Sequence, residues 1–231
     1  MFCFPYSGGT AQVFLPLARV MPQGVGVYAL ELPGRGRRFR ENLPESLSFM
    51  VDESMEGIIP LVGTGDFMFF GHSLGGLIAF ELARNLRYSG LPLPRHLFLS
   101  GVRAPHIPRR EEPMHDLPHD AFVEKLRQMG GTPDEVLENQ ELLELMVPIL
   151  RKDFQIYETY RYNAETALEC PITAFGGIHD RYAKPDDVNG WSEHTNRLFS
   201  SYMLDGGHFF INSHLKDVRD IILKTLTLHK P

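Results

Sequence analysis

Ten consecutive residues, Phe67-Met68-Phe69-Phe70-Gly71-His72-Ser73-Leu74-Gly75-Gly76, constrain the fold of this chain more than any other stretch. A run of large apolar side chains without polar alternation reads as a strand buried on both faces, the habit of strands inside a parallel sheet. It runs into a serine flanked by glycines at G-x-S-x-G spacing. The chain then continues from Leu74 to Tyr88 with helical periodicity, and Gly90 supplies the stop. A strand turning sharply into a helix holds the intervening serine in a strained backbone conformation, and glycines two residues either side leave room for neighbouring backbone to pass closely. The Ser73 hydroxyl is then presented to a cleft, while the N–H of Leu74 points at a developing oxyanion from the helix start. G-x-S-x-G by itself is a weak signal. The strand-turn-helix context makes Ser73 a candidate nucleophile.

Short β-type runs and helical segments alternate through most of the chain, which favours an α/β sheet with helices on its faces. Strands are expected at Phe2 to Phe4, Val25 to Glu31, Phe67 to Gly71, His96 to Ser100, Ile172 to Gly176 and Ser200 to Leu204. Helices are expected at Ala11 to Val20, Leu47 to Leu61, Leu74 to Tyr88 and Asp217 to Leu228. Residues 105–167 break the alternation: they offer helical material only (Asp120 to Met129, Pro133 to Glu138, Gln140 to Tyr162), set between two strands. This reads as a helical subdomain over one edge of the sheet, inserted into a single domain spanning 1–231. Its apolar residues (Phe122, Leu126, Met129, Leu142, Leu145, Met146, Ile149, Leu150, Phe154, Tyr157) either pack the insertion onto the body or line an acyl tunnel.

Composition narrows the function. The 231 residues are 43% apolar and 23% charged, an ordinary globular balance rather than a disordered or fibrous one. With 23 basic against 29 acidic residues the formal charge is −6, which offers no general attraction to nucleic acid or anionic membranes. Cys3 and Cys170 form no C-x-x-C pair and fall in apolar runs, so both read as small buried hydrophobes. No stretch approaches ~18 consecutive apolar residues, and Met1 to Pro5 lacks the basic and long apolar regions of a signal peptide. A monomeric, cytoplasmic protein is expected. The abrupt opening on a strand suggests that residues preceding Met1 are missing.

A neutral serine needs a base, and the base needs a group that holds its tautomer. Where the serine sits on such an elbow, the chain order is serine, acid, histidine. Of the ten histidines, His208, His214 and His229 lie beyond the last expected strand. His208 follows it at once, in Leu204-Asp205-Gly206-Gly207-His208-Phe209-Phe210; His214 is near a helix start and His229 is in the tail. For the acid, Asp180 occupies the loop after the preceding strand. Asp186 and Asp187 are rivals, but Pro185-Asp186-Asp187 reads as the opening turn of a helix running toward Trp191. Asp205 is better placed as a turn residue. A second oxyanion donor is expected from the loop after the first strand, Phe4-Pro5-Tyr6-Ser7-Gly8-Gly9, with the N–H of Tyr6 first and that of Ser7 next. The same Gly8-Gly9 pair can equally open the helix from Ala11.

Several motifs occur together and in order: Phe4-Pro5-Tyr6-Ser7-Gly8-Gly9, Leu32-Pro33-Gly34-Arg35-Gly36-Arg37, Phe70-Gly71-His72-Ser73-Leu74-Gly75-Gly76, Met129-Gly130-Gly131-Thr132-Pro133, Asp180 with Trp191 eleven residues on, and Gly206-Gly207-His208-Phe209-Phe210. From Phe2 to about Leu228 the chain resembles the stand-alone type II thioesterases that accompany polyketide synthases, nonribosomal peptide synthetases and animal fatty acid synthase. The resemblance implies an α/β-hydrolase with a helical lid that clears acyl thioesters from the phosphopantetheine arm of an acyl or peptidyl carrier protein. It implies a Ser73, Asp180, His208 triad and no metal or redox cofactor of the enzyme's own. A carboxylesterase or lipase-like enzyme on free oxyesters, or a non-catalytic binding protein on the same scaffold, are the alternatives. The arginines of Arg35-Gly36-Arg37-Arg38-Phe39-Arg40 form the densest basic cluster on an acidic chain. They either dock an acidic carrier or pair with nearby acids such as Glu41 and Glu45.

Overall fold

Six short apolar runs hydrogen-bond side by side, all parallel, in the order β2-β1-β3-β4-β5-β6. They are β1 (Phe2–Phe4), β2 (Tyr28–Ala29), β3 (Phe69–His72), β4 (Leu97–Ser100), β5 (Ile172–Gly177) and β6 (Phe199–Leu204). The structure is a computed structural model and describes residues 1–62 and 66–228; His229 lies outside the described residues. The helices are α1 (Leu15–Val20), α2 (Leu47–Val62), α3 (Leu74–Tyr88), α4 (His119–Met129), α5 (Asp134–Leu137), α6 (Gln140–Thr159), α7 (Pro185–Asn189), α8 (Phe210–Ser213) and α9 (Leu215–Leu228).

Side chains alternate across the sheet, so its two faces sort into two cores. Phe2, Phe4, Phe69, Leu97, Leu99, Ile172 and Ala174 pack with residues of α2 and α3. Cys3, Phe70, Phe98 and Phe175 pack on the other face with Phe14, Leu17, Val218 and Ile222. Each Phe, Leu, Ile or Val among them, fully withdrawn from water, contributes about 1.5–3 kcal/mol of hydrophobic stabilisation. Burial pushes the thiols of Cys3 and Cys170 up to about 12, so both stay protonated. Cys3 lies in β1, whereas Cys170 stands just before β5, its Sγ donating to the Pro94 carbonyl at 2.9 Å.

Three expected elements differ. The strand expected over Val25 to Glu31 shrinks to Tyr28–Ala29, because β2 is an edge strand whose partner β1 has only three residues to pair with. The helix expected from Ala11 starts as a 3-10 turn, Ala11–Phe14, and becomes α only at Leu15, where Pro16 sits among the first helical positions that need no N–H. Helix α6 ends at Thr159, three residues short of the expected Tyr162.

Between β4 and β5 the described residues contain helix and loop, with one isolated β-bridge from Leu168 to Thr195 just before β5. Met114, Phe122, Val123, Leu126, Leu137, Val147 and Leu150 form a third, smaller apolar cluster there. The inserted helices therefore carry a core of their own above the C-terminal ends of the strands. Among the described residues no helix is long and apolar enough to cross a membrane.

Candidate active site

Ser73 follows β3 directly and precedes the first residue of α3, at φ 54° and ψ −121°. It is the one non-glycine residue with positive φ among the described residues. Such a conformation costs of order 1–3 kcal/mol and persists only where the surroundings over-determine it. Here the over-determination is steric and bonded at once. The Ser73 N–H donates to the Ser100 carbonyl of β4 at 2.8 Å. A β-carbon on Gly71 would lie 2.1 Å from the carbonyl oxygen of Gly75. Only glycine lets strand and helix approach this closely, which is the physical content of the G-x-S-x-G spacing.

The loops at the ends of β5 and β6 deliver the other two residues. Gly177 passes so near Gly207 that a β-carbon on it would meet that carbonyl at 2.4 Å, and the His179 N–H donates to the Gly206 carbonyl at 2.9 Å. Across this seam the His208 Nδ1–H donates to Asp180 Oδ2 at 2.8 Å. The other ring nitrogen, Nε2, faces the Ser73 hydroxyl at 3.0 Å across 135 residues of sequence. Asp180 Oδ1 accepts the Tyr182 N–H at 2.8 Å, so the carboxylate is held at both oxygens. His208 and Asp180 are both buried. Rings enclose the imidazole: Tyr182 at 5.6 Å, Phe209 at 5.1 Å and His72 at 5.3 Å between centroids. His72 is fully buried, hydrogen-bonded through Nδ1 to Ser100 Oγ at 2.9 Å; burial, then the proximity of His208, holds it well below the usual histidine range. A neutral His72 leaves room for positive charge on His208.

The structure thus brings Ser73, Asp180 and His208 together and leaves their rivals elsewhere. His214 pairs with Asp217 at the start of α9. Asp205 sits beside His179, 3.3 Å away. Asp187 does open α7 as expected, but it is fully buried, gripped by both oxygens by Arg110 at 2.8 Å and accepting the Lys184 N–H at 3.0 Å.

Tyr6 and Ser7 border the same small crevice as Ser73, His208 and Phe209. Leu74, as first residue of α3, has an N–H that no carbonyl one turn back can take. Beside the crevice a cavity of about 310 Å³ opens over Ser73 and His208, walled by Met114, Leu117, Met129, Phe154, Tyr157 and Tyr182 together with charged residues of the strap at 103–112. The two accounts of the inserted apolar residues therefore divide. Met129, Phe154 and Tyr157 line the cavity; Phe122 and Ile149 are buried packing; Leu142 and Leu145 stay exposed on α6 and do neither.

The strap is tied down by charges the sequence reading passed over. Arg103 donates to both oxygens of Glu111 at 2.8 Å and to the Tyr182 carbonyl at 3.0 Å. Glu158 of α6, buried, accepts from the N–H groups of Met114 and His115, from the His115 ring at 2.5 Å and from Arg109 at 3.2 Å. The arginine loop divides between its two expected roles, with one exception. Arg35 is 2% exposed and engages Asp153 of α6 through both terminal nitrogens, at 2.5 and 2.9 Å, so it is not available for docking. Arg38 pairs with Glu41 and Glu53 rather than Glu45. Arg37 and Arg40 remain exposed. A signal for Asp153 existed: it falls three residues after Leu150 and three before Ile156 on the buried stripe of α6, where a carboxylate requires a partner.

A family model described as a thioesterase domain matches residues 1–226. The chain is 41% identical over 229 residues to the linear gramicidin dehydrogenase of Brevibacillus parabrevis, covering 98% of this chain and 87% of that relative. That relative is named a dehydrogenase, yet here the loop after β1 lacks the G-x-G-x-x-G spacing that seats a dinucleotide. Among solved structures, the thioesterase of the prodiginine pathway in Streptomyces coelicolor superposes with a TM-score of 0.90 at 34% identity, over 96% of this chain and 87% of its own. The type II thioesterase of the borrelidin biosynthetic cluster superposes with a TM-score of 0.85 at 31% identity, over 96% and 88%.

Proposed function

Because this chain belongs to the thioesterase domain family, we propose that it works as a type II, editing thioesterase, hydrolysing acyl groups from the phosphopantetheine arm of acyl or peptidyl carrier proteins through Ser73, His208 and Asp180. The observation that carries the catalytic assignment is the unbroken relay from Asp180 Oδ2 through His208 to Ser73 Oγ, at 2.8 and 3.0 Å, beneath an open cavity.

With Nδ1–H held in its hydrogen bond to the Asp180 carboxylate, the His208 Nε2 lone pair faces the Ser73 hydroxyl and takes its proton as Oγ attacks the thioester carbonyl carbon. The carbonyl oxygen, now negative, is received by the N–H of Leu74 and that of Tyr6. Collapse breaks the carbon–sulfur bond, and the departing sulfur takes the proton held by His208, which leaves the imidazole neutral; a thiolate leaves readily, so this acid role is less demanding than with an alkoxide. A water then enters, gives a proton to the neutral His208 and attacks the acyl carbonyl carbon; collapse breaks the acyl–Oγ bond, His208 returns the proton to Ser73 Oγ, and the acid is released. Nucleophile, base and oxyanion donors all come from the chain, so the mechanism asks for no metal or redox cofactor. The phosphopantetheine belongs to the carrier. Residues 105–167 serve as the lid over the acyl group, Arg37 and Arg40 are the part of the arginine loop left for an acidic carrier, and the chain acts as a monomer.

Turnover of acyl-carrier thioesters against p-nitrophenyl esters of the same acyl chain tests the reading. Preference for the thioesters, abolished by Ser73→Ala, is the expected result; preference for the oxyesters would assign the chain to carboxylesterase chemistry instead.

A further inference from the structure

Resting on the serine mechanism just proposed, we infer that Asp153 is a positioning residue for the oxyanion hole, which α6 of the insertion completes by holding the loop after β1. Three bonds converge on its carboxylate. Oδ1 accepts from Arg35 Nη2 at 2.9 Å, and Oδ2 accepts from Arg35 Nη1 at 2.5 Å and from the Gly8 N–H at 2.7 Å. Asp153 is fully buried. A carboxylate buried there needs a cation, and Arg35, sequestered with it, supplies one; the remaining lone pairs need a donor, and Gly8 supplies that.

The Gly8 contact gives the pair its consequence for catalysis. Gly8 has φ +74°, and a β-carbon on it would lie 2.5 Å from Leu150 Cδ2, with Met146 also close, so the loop lies flat on α6. One turn-closing bond, from the Gly9 N–H to the Tyr6 carbonyl at 2.8 Å, ties this anchor to Tyr6. Tyr6 and Ser7 are the residues of that loop bordering Ser73. The orientation of the Tyr6 N–H toward the Ser73 oxyanion is therefore set by an acid 145 residues away from Gly8. Since that acid rides on the insertion, displacing α6 from the body dismantles the oxyanion hole while leaving the Ser73, His208, Asp180 relay intact.

An oxyanion donor acts on the tetrahedral state and not on bound substrate, so its misplacement lowers kcat and leaves KM alone. The decisive variants are Asp153→Asn and the double variant Arg35→Met with Asp153→Leu. The double change replaces a buried ion pair by apolar side chains, a swap that commonly preserves stability, while removing the acceptor of the Gly8 N–H. With p-nitrophenyl butyrate and a butyryl pantetheine thioester, both variants are expected to lose about 10- to 100-fold in kcat, with KM within about threefold. Affinity for an alkyl boronic acid, which forms a tetrahedral adduct on the serine, is expected to fall by the same factor. Wild-type kcat and boronate affinity in a folded double variant would overturn the inference, as would losses confined to KM or to thermal stability. The ester substrate keeps this result separate from the thioester assignment: an inactive wild type on the thioester alone would refute that assignment and still leave Asp153 tested.

Discussion

Gly75 lies so close to β1 that a β-carbon placed on it would sit 2.0 Å from the carbonyl oxygen of Phe4. That contact locks the N-terminus of α3, with Leu74, against the strand whose following loop carries Tyr6. The two proposed oxyanion donors are thus spaced by a glycine that belongs to neither. Gly75→Ala must push helix and strand apart. A loss of about 1–3 kcal/mol in stability from overpacking is expected, together with a fall in kcat of roughly 100-fold, read by thermal denaturation and steady-state kinetics on one preparation. Full activity in the alanine variant would detach the elbow geometry from oxyanion binding.

Ser73→Ala and His208→Ala are each expected to lower kcat by about 10⁴- to 10⁶-fold, and the double variant to be no slower than the worse single one, because the relay acts as a unit. Asp180→Asn should retain binding while losing rate through the wrong His208 tautomer. Additive losses across the pair would show that the two residues act in separate steps.

His194 is enclosed by Phe80, Trp191 and Tyr162, with His106 Nδ1 at 2.7 Å from its Nε2. Burial, then the charges of His106 and Arg84, lower its pKa to about 4. An unfolded histidine titrates near 6.5. Between these values the unfolded chain binds a proton that the folded one refuses, so stability is full above about pH 6.5, falls as the pH drops toward 4, and levels below. A loss on the order of 2 kcal/mol over that window is expected from this residue. His194→Gln should flatten the fall in Tm without abolishing it, since buried His72 is shifted in the same direction. Parallel profiles for variant and wild type would refute the assignment.

Glu158→Ala removes the common acceptor of Arg109, His115 and two backbone N–H groups of the strap. Uncompensated buried donors of this kind cost about 3–5 kcal/mol. Limited proteolysis should cut first within residues 109–115, and Glu158→Gln, which keeps an acceptor, should be milder. Equal protease resistance of variant and wild type would mean that the strap is held elsewhere.

Charge reversal at Arg37 and Arg40 is expected to raise KM for carrier-bound acyl groups by about 3- to 10-fold, more strongly at low salt, and to leave small soluble thioesters untouched. Equal effects on both substrates would rule out docking at this loop.

The three residues that meet at Ser73 were legible because their signals are local. Strain at Ser73 needs small residues at fixed spacing, and a loop directly after a strand of the sheet can hardly avoid the strand's C-terminal edge, so Asp180 and His208 could be named from position. The burial of Arg35 was not legible, for the opposite reason. Nothing within Arg35-Gly36-Arg37-Arg38-Phe39-Arg40 distinguishes the one guanidinium that is buried, because its partner, Asp153, lies 118 residues away.

Periodicity and turn chemistry act over a few residues, so the sequence by itself determined the alternating α/β layout, the elbow, the order serine, acid, histidine and the helical character of the insertion. Burial of charge is decided by what folds over it. Only the tertiary structure could select Arg35 from its neighbours, turn Asp187 from an exposed helix-start acid into a buried one, sort Met129, Phe154 and Tyr157 from Leu142 and Leu145, and bring α6 onto the loop that faces Ser73. A carboxylate costs several kcal/mol to bury alone and little once paired, and that pairing is made between segments no local pattern connects.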